Sequence, residues 1–304
     1  MRAAQAVRRA AVGSAVVVCL GAGAVLLHST ALAGPSSVEP ESWALLRVNA
    51  VAPAAVRSDV VVGVVDSGVD ASHPALVNRV LAGVDLVDGG PGTHDPLGHG
   101  TQVAGIIVGR GIGVAEHARV LPVRVLDARG SGTIGRLARG IRWAADHDAR
   151  VINASVETSG PAAPLEKALD YAWARRSLVV AIAGNQGGAL RWPAAYPKAV
   201  AVGATDRVNT VTTFSSRGPR LDLVAPGDAI RTTAAGGGYV EARGTSVAAP
   251  FVSGAAALLL SQDPELGNAA LVARLRDTAR DLGRRGADPT YGAGLLNITA
   301  ALEG

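Results

Sequence analysis

The sequence predicts an α/β fold with a mostly parallel, doubly wound central sheet, and two patterns carry that reading. Short, almost wholly apolar runs alternate with longer stretches of helical periodicity, as strands buried on both faces and joined by crossover helices require. The polar residues with chemical potential follow these runs directly, where open α/β sheets meet their ligands beyond the strand C-termini. At 304 residues the chain can bury one large core.

Taken in order, residues 1–33 read as a signal peptide. Arg2, Arg8 and Arg9 precede an apolar run from Ala10 to Leu27, and Ala31-Leu32-Ala33 fits the small-residue cleavage rule. An uncleaved anchor is the competing reading, because the run approaches membrane-spanning length. The Gly and Ala content and the cleavage site favour removal, which leaves no stable membrane insertion and a secreted or cell-envelope protein. Cys19 is the single cysteine and leaves with the leader, so disulfides are not expected. Val17 and Val18 stand where a lipoprotein site would want small residues.

Residues 34–58 form a short N-terminal extension, and 59–304 the main domain. Val60 to Val65, Val120 to Leu126, Arg150 to Ala154, Leu178 to Ala183 and Ala199 to Val202 are expected as buried strands. Ile134 to Asp148 and Pro164 to Arg176 are expected as helices between them. No segment after the leader is expected to be long and apolar enough to cross a membrane. Lys and Arg number 29 against 25 Asp and Glu, for a net charge of +4. The leader supplies much of that excess and the remaining Arg residues are scattered among acids, so no nucleic-acid partner is expected.

Four polar residues stand out by their settings. Asp66 directly follows an apolar run, with Gly68 to turn the chain away. His99 lies between Gly98 and Gly100, ahead of an apolar stretch suited to a buried helix. Ser246 opens a small-residue helix that contains Pro250 near its start. Asn185 follows the strand ending at Ala183-Gly184. Three of them have a plain structural alternative: a turn or cap Asp, a helix N-cap Ser, a turn Asn. Together they offer a nucleophile, a base, an orienting carboxylate and an amide donor, the set that acyl transfer requires. Asp70 and His94 lack such settings and read as local structure.

In this order, Asp66-Ser67-Gly68, Gly98-His99-Gly100-Thr101, Ala183-Gly184-Asn185, Phe214-Ser215-Ser216-Arg217-Gly218-Pro219, Ala225-Pro226-Gly227 and Gly244-Thr245-Ser246 resemble the subtilisin-like serine proteases, the subtilase family. The resemblance runs from about Trp43 to the C-terminus. It implies a three-layer α/β/α peptidase domain, an exported monomer that cleaves a protein or peptide substrate, and no required cofactor. By motif position Ser246 is the nucleophile, His99 the base, Asp66 its orienter, and Asn185 with the Ser246 N–H the oxyanion hole. Gly130-Ser131-Gly132 and Ser155-Val156-Glu157 fall where the family presents two strand edges to an extended peptide; the Gly-Ser-Gly reads equally as a plain loop between a strand and a helix.

The chain departs from the family pattern at four positions. Gln102 stands where a His is usual and Val247 where a Met is usual, which implies altered packing. Ala75 stands where relatives often place a calcium-binding Asp, which weakens the case for that ion. Zinc has no His-Glu-x-x-His string to hold it. Glu157 replaces a usual Gly; it can narrow the first specificity pocket, favour a basic or small residue there, or point to solvent. The approach to Trp43 also leaves little room for the long inhibitory prosegment of many secreted relatives. Two rivals stand beside the protease: a catalytically silent peptide-binding scaffold, and a narrow processing enzyme of the mycosin-like kind.

Overall fold

The computed structural model describes residues 43–50 and 59–304. The expected leader, its expected cleavage site and most of the expected 34–58 extension lie outside the described residues. A seven-stranded sheet forms the middle layer in the order β2-β3-β1-β4-β5-β6-β7. Its strands are β1 (Val61–Asp66), β2 (Val84–Asp85), β3 (Arg119–Arg124), β4 (Ala149–Ala154), β5 (Leu178–Ile182), β6 (Ala199–Thr205) and β7 (Leu223–Pro226), and every pairing in it is parallel. A separate antiparallel pair joins β8 (Ile230–Thr233) to β9 (Tyr239–Ala242).

Burial explains the strand sequences. β5 and β6 are buried at every position, because helices cover both faces of the sheet, so these strands show no polar alternation. On one face lie α2 (His99–Val108) and α5 (Thr245–Gln262); on the other lie α3 (Ile134–Asp146) and α4 (Ala163–Ala174). The expected strands and helices are present, with ends shifted by a few residues as fraying ends generally do. β6 runs on to Thr205 because β7 continues beside it, pairing Thr205 with Pro226.

One expectation needs correction. Thr245–Gln262 is long and apolar enough to cross a bilayer, with a mean hydropathy of 1.3 over 18 residues. Its apolarity serves the interior instead, since 89% of that window is buried within the protein. The helix passes over β4, β5, β6 and β7 and against α2, so it needs an all-round apolar surface.

Part of the extension belongs to this packing. α1 (Trp43–Arg47) places Ala44 in the main core, and Trp43 Nε1 donates to the Ala229 carbonyl at 3.1 Å. The residues just after it meet the start of α7 (Ile298–Glu303): Ile298 N–H donates to the Val48 carbonyl, Asn49 Nδ2 to Asn297 Oδ1, and Thr299 Oγ1 to the Asn49 carbonyl. α6 (Asn268–Asp277) adds Leu271 and Leu275 to the same core.

The strand order reverses direction at β1, which pairs with β3 on one side and β4 on the other. The helices following β2 and β3 therefore leave toward opposite faces and open a crevice at the C-terminal end of β1. Asp66 is the last residue of that strand.

Candidate active site

Asp66 is fully buried, and its Oδ1 accepts from the Ser67 N–H at 2.7 Å. Its two oxygens lie 2.8 and 2.9 Å from His99 Nδ1. Close approach is possible because His99 begins α2 and is followed by glycine: a Cβ on Gly100 would stand 2.0 Å from the Gly68 carbonyl oxygen. Burial alone would lower the affinity of His99 for a proton. The Asp66 charge and hydrogen bond, helped by the Asp95 charge, outweigh it and hold the imidazole above its ordinary value. Nδ1 donates to the carboxylate, and buried Nε2 has no hydrogen-bond partner.

Asp95, which sequence reasoning passed over, locks the two motifs together. Its Oδ1 accepts from Ser67 Oγ at 2.7 Å and from the Gly98 N–H at 2.8 Å. Its Oδ2 accepts from the Thr101 N–H at 2.8 Å and from Thr101 Oγ1 at 2.6 Å. Ser67 Oγ in turn accepts from the Gly100 N–H. One carboxylate thus supplies free donors at the start of α2 with acceptors while pinning the turn after Asp66. Asp70 has a local role, as expected: its N–H donates to Thr101 Oγ1 and its carboxylate accepts from Ser72 and the Gly236 N–H.

Ser246 is the second residue of α5 and is nearly buried, at 6% exposure. Pro250 lacks the N–H that would bond the Ser246 carbonyl one turn back. Ser155 Oγ fills that place at 2.9 Å. The Ser155 hydroxyl is itself oriented, since Ser253 Oγ donates to Asn153 Oδ1 and Asn153 Nδ2 donates to Ser155 Oγ. A directed hydrogen-bond chain therefore ties α5 to the end of β4 at Ser246.

Asn185 is fixed through its carbonyl side. Oδ1 accepts from the Thr245 N–H at 2.8 Å and from Thr245 Oγ1 at 2.9 Å, which turns Nδ2 outward as the available donor. A Cβ on Gly244 would stand 3.0 Å from Ser246 Oγ and 3.5 Å from Asn185 Nδ2. Both groups thus border one small space that a side chain at residue 244 would fill. The motif Gly-Thr-Ser signalled the glycine and the serine, but the partnership of Thr245 with Asn185 crosses 60 residues and leaves no local pattern.

Of the two segments expected to face substrate, 130–132 takes the loop form the sequence left open, and 155–157 is irregular. Gly130-Ser131-Gly132 is a loop closed by Asp127, whose Oδ1 accepts from the Arg129 and Ser131 N–H groups. Ser155-Val156-Glu157 continues past β4 without regular pairing, and all three residues are buried. Glu157 does not point to solvent: it is 3% exposed, and its Oε1 accepts from Gln186 Nε2 at 2.5 Å. Burial pushes its carboxyl above the usual range, against the Gln186 hydrogen bond, the Arg191 charge and the Asn185 backbone N–H beside it.

Of the remaining departures, Val247 joins the main core, and the Gln102 carbonyl accepts from Thr232 Oγ1 at 2.6 Å. Ala75 is buried and apolar, and its carbonyl takes the Arg110 N–H. The residues there do not fit an oxygen-rich calcium cage, and no group of three or more His, Cys, Asp or Glu that could hold a metal occurs among the described residues.

The sequence profile of the subtilase family matches residues 57–294. The chain belongs to the subtilase family. This subtilase is 41% identical over 270 residues to Subtilisin Savinase of Lederbergia lenta, covering 85% of this chain and 97% of that one. It is 40% identical over 257 residues to Subtilisin E of Bacillus subtilis strain 168, covering 81% and 66%. In structure it resembles a cold adapted subtilisin-like serine proteinase, with a TM-score of 0.78 at 32% identity over 84% of this chain and 97% of that one. The subtilase is a serine-type endopeptidase with the three-layer α/β/α fold, and a polypeptide is its substrate. The silent-scaffold and mycosin-like alternatives are not favoured.

Proposed function

We propose that this subtilase is an exported monomeric endopeptidase in which Ser246 attacks the scissile carbonyl while His99 Nε2 takes its proton. Asp66 holds Nδ1–H, so the lone pair is kept on Nε2, and it stabilises the imidazolium that forms. Asn185 Nδ2 and the Ser246 backbone N–H receive the oxyanion. The imidazolium then protonates the leaving amine, and water repeats the sequence on the acyl-enzyme. The extended substrate lies along 130–132 and 155–157. The chemistry uses side chains and backbone groups alone. The observation that carries the assignment is the buried carboxylate bonded to Nδ1 through both oxygens while the opposite ring nitrogen is left without a partner.

A fluorophosphonate serine probe tests it. The chain lacking residues 1–33 is expected to be labelled, while the Ser246→Ala variant and a heat-denatured sample are not. A folded native protein that takes no label sinks the assignment. On export, an N-terminus at Gly34 is expected by sequencing of the mature protein, and retention of residues 1–33 would favour the anchor.

Two further outcomes follow from the geometry. Asn185→Ala is expected to lower kcat by about 10²- to 10³-fold with little change in KM, the loss measured for such a donor in subtilisin itself. An equal rise in KM with kcat intact would make Asn185 a binding residue. Asp95→Asn removes a charge that favours protonated His99. The imidazole then releases its proton at lower pH, so the acidic limb of the kcat/KM profile is expected to move down. A limb that stays in place would detach Asp95 from the site's electrostatics.

A further inference from the structure

Next to Asn185 lies a polar cluster that the reaction does not use. Glu157 Oε2 and Ser216 Oγ are both buried and neither has a hydrogen-bond partner. They converge on Gly184, the residue before Asn185: a Cβ built there would stand 2.9 Å from Ser216 Oγ and 3.0 Å from Glu157 Oε2. The same point is 2.3 Å from Arg191 Cγ, and Arg191 Nε lies 3.8 Å from Glu157 Oε1. Buried polar groups left without partners are costly and uncommon, and Glu157 Oε2, the Ser216 hydroxyl and Arg191 Nε, three around one small space, point to a hydrogen-bonding group that arrives from outside.

The surroundings say what brings it. Ser155 is bonded to the Ser246 carbonyl and Asn185 to Thr245, so segments 155–157 and 184–186 flank the nucleophile. A peptide carbonyl held over Ser246 Oγ, with its oxygen toward Asn185 Nδ2, sets its own residue between these segments. That side chain then faces Gly184, Glu157 and Ser216. We propose that Glu157, Ser216 and Arg191 determine specificity at this position, and that they select a short side chain carrying a hydrogen-bond donor, serine or asparagine, over large apolar or long cationic ones.

Depth and chemistry both argue this way. The space above Gly184 is already filled to contact by Arg191, Ser216 and Glu157, so a long side chain meets protein atoms early. An aromatic or leucine side chain would cover the carboxylate and the hydroxyl without satisfying them. A lysine would bring a second cation up to Arg191, whose guanidinium already faces Glu157. A serine hydroxyl or asparagine amide can donate to Oε2, and it adds no charge.

The inference rests on the serine-endopeptidase reading of the same site, and its test separates the two. Peptides Ala-Ala-Pro-X bearing a p-nitroanilide, with X as Ser, Asn, Ala, Phe or Lys, are given to the native enzyme beside fluorophosphonate labelling. The expected result is labelling, with kcat/KM for Ser and Asn above Phe and Lys by at least about tenfold. Glu157→Gly is expected to open the recess and shift the Phe-to-Asn ratio at least about tenfold toward Phe. Glu157→Gln keeps the shape, so it is expected to go on rejecting Phe while losing the advantage of Asn over Ala; it serves where the glycine variant fails to fold. A labelled enzyme that prefers Phe or Lys, or ratios unchanged in both variants, overturns the specificity proposal alone. A folded enzyme that neither labels nor cleaves any peptide removes the reading beneath it as well.

Discussion

Replacing Ser246 with Ala is expected to lower kcat by about 10⁶-fold, the size of the loss measured in subtilisin when its serine or histidine is removed. The fold is expected to survive the change. The bond that anchors this residue is made by its backbone carbonyl, which accepts from Ser155 Oγ, and alanine keeps that carbonyl. Alanine is also the better helix former at the start of α5. The check is kcat on a peptide substrate with the thermal transition recorded on the same sample. His99→Ala should cost as much, and combining the two should cost no more, because nucleophile and base act as one unit. A Ser246→Ala enzyme that keeps a hundredth of native kcat would move the nucleophile elsewhere.

Asp66→Asn is expected to lower kcat by about 10⁴-fold while leaving the site's shape intact. Asp66 is fully buried and meets His99 Nδ1 through both oxygens. An amide in that place can turn its NH₂ toward Nδ1, which moves the ring proton to Nε2 and removes the lone pair that would take the Ser246 proton. The exchange also removes the charge that raises the His99 value. The residual activity should therefore keep an acidic limb displaced to lower pH, read from kcat/KM against pH. An Asp66→Asn enzyme within tenfold of native activity would reduce Asp66 to a turn residue.

The sequence made the sheet and the three side chains of the proposed triad legible because each has a local signature. β1, β3, β4, β5 and β6 are short apolar runs, and Asp66, His99 and Ser246 sit at the junctions between such runs and the small residues that crowd them. What escaped sequence reasoning is carried by side-chain bonds between distant segments. Thr245 on Asn185, Ser155 on the Ser246 carbonyl and Asp95 on Ser67 and Thr101 follow from folded proximity, which no periodicity encodes. At 130–132, where a substrate edge and a plain loop were both open, an Asp127-closed loop stands, and 155–157 is an irregular buried segment. The direction of Glu157 was equally undecidable, since a glutamate beyond a strand end can face water or protein. The membrane-like apolarity of α5 was missed because Ser246, Pro250, Ser253 and Gly254 interrupt its apolar residues and mask a mean hydropathy that Leu258, Leu259 and Leu260 sustain.

The clasp between residues 48–49 and 297–299 has a consequence in time. Asn49 meets Asn297 across 248 positions of sequence, and β1, which ends in Asp66, pairs with β3 and β4 and not with the next strand, β2. Such non-local order forms late and slowly. During synthesis, therefore, every partial chain that lacks α5 is without Ser246, the proposed nucleophile, and one that lacks α7 is without the segment that meets the residues after α1. Activity in the proposed site therefore waits on α5: Asp66 and His99 are laid down first, and Ser246 joins them only once this helix packs across the sheet.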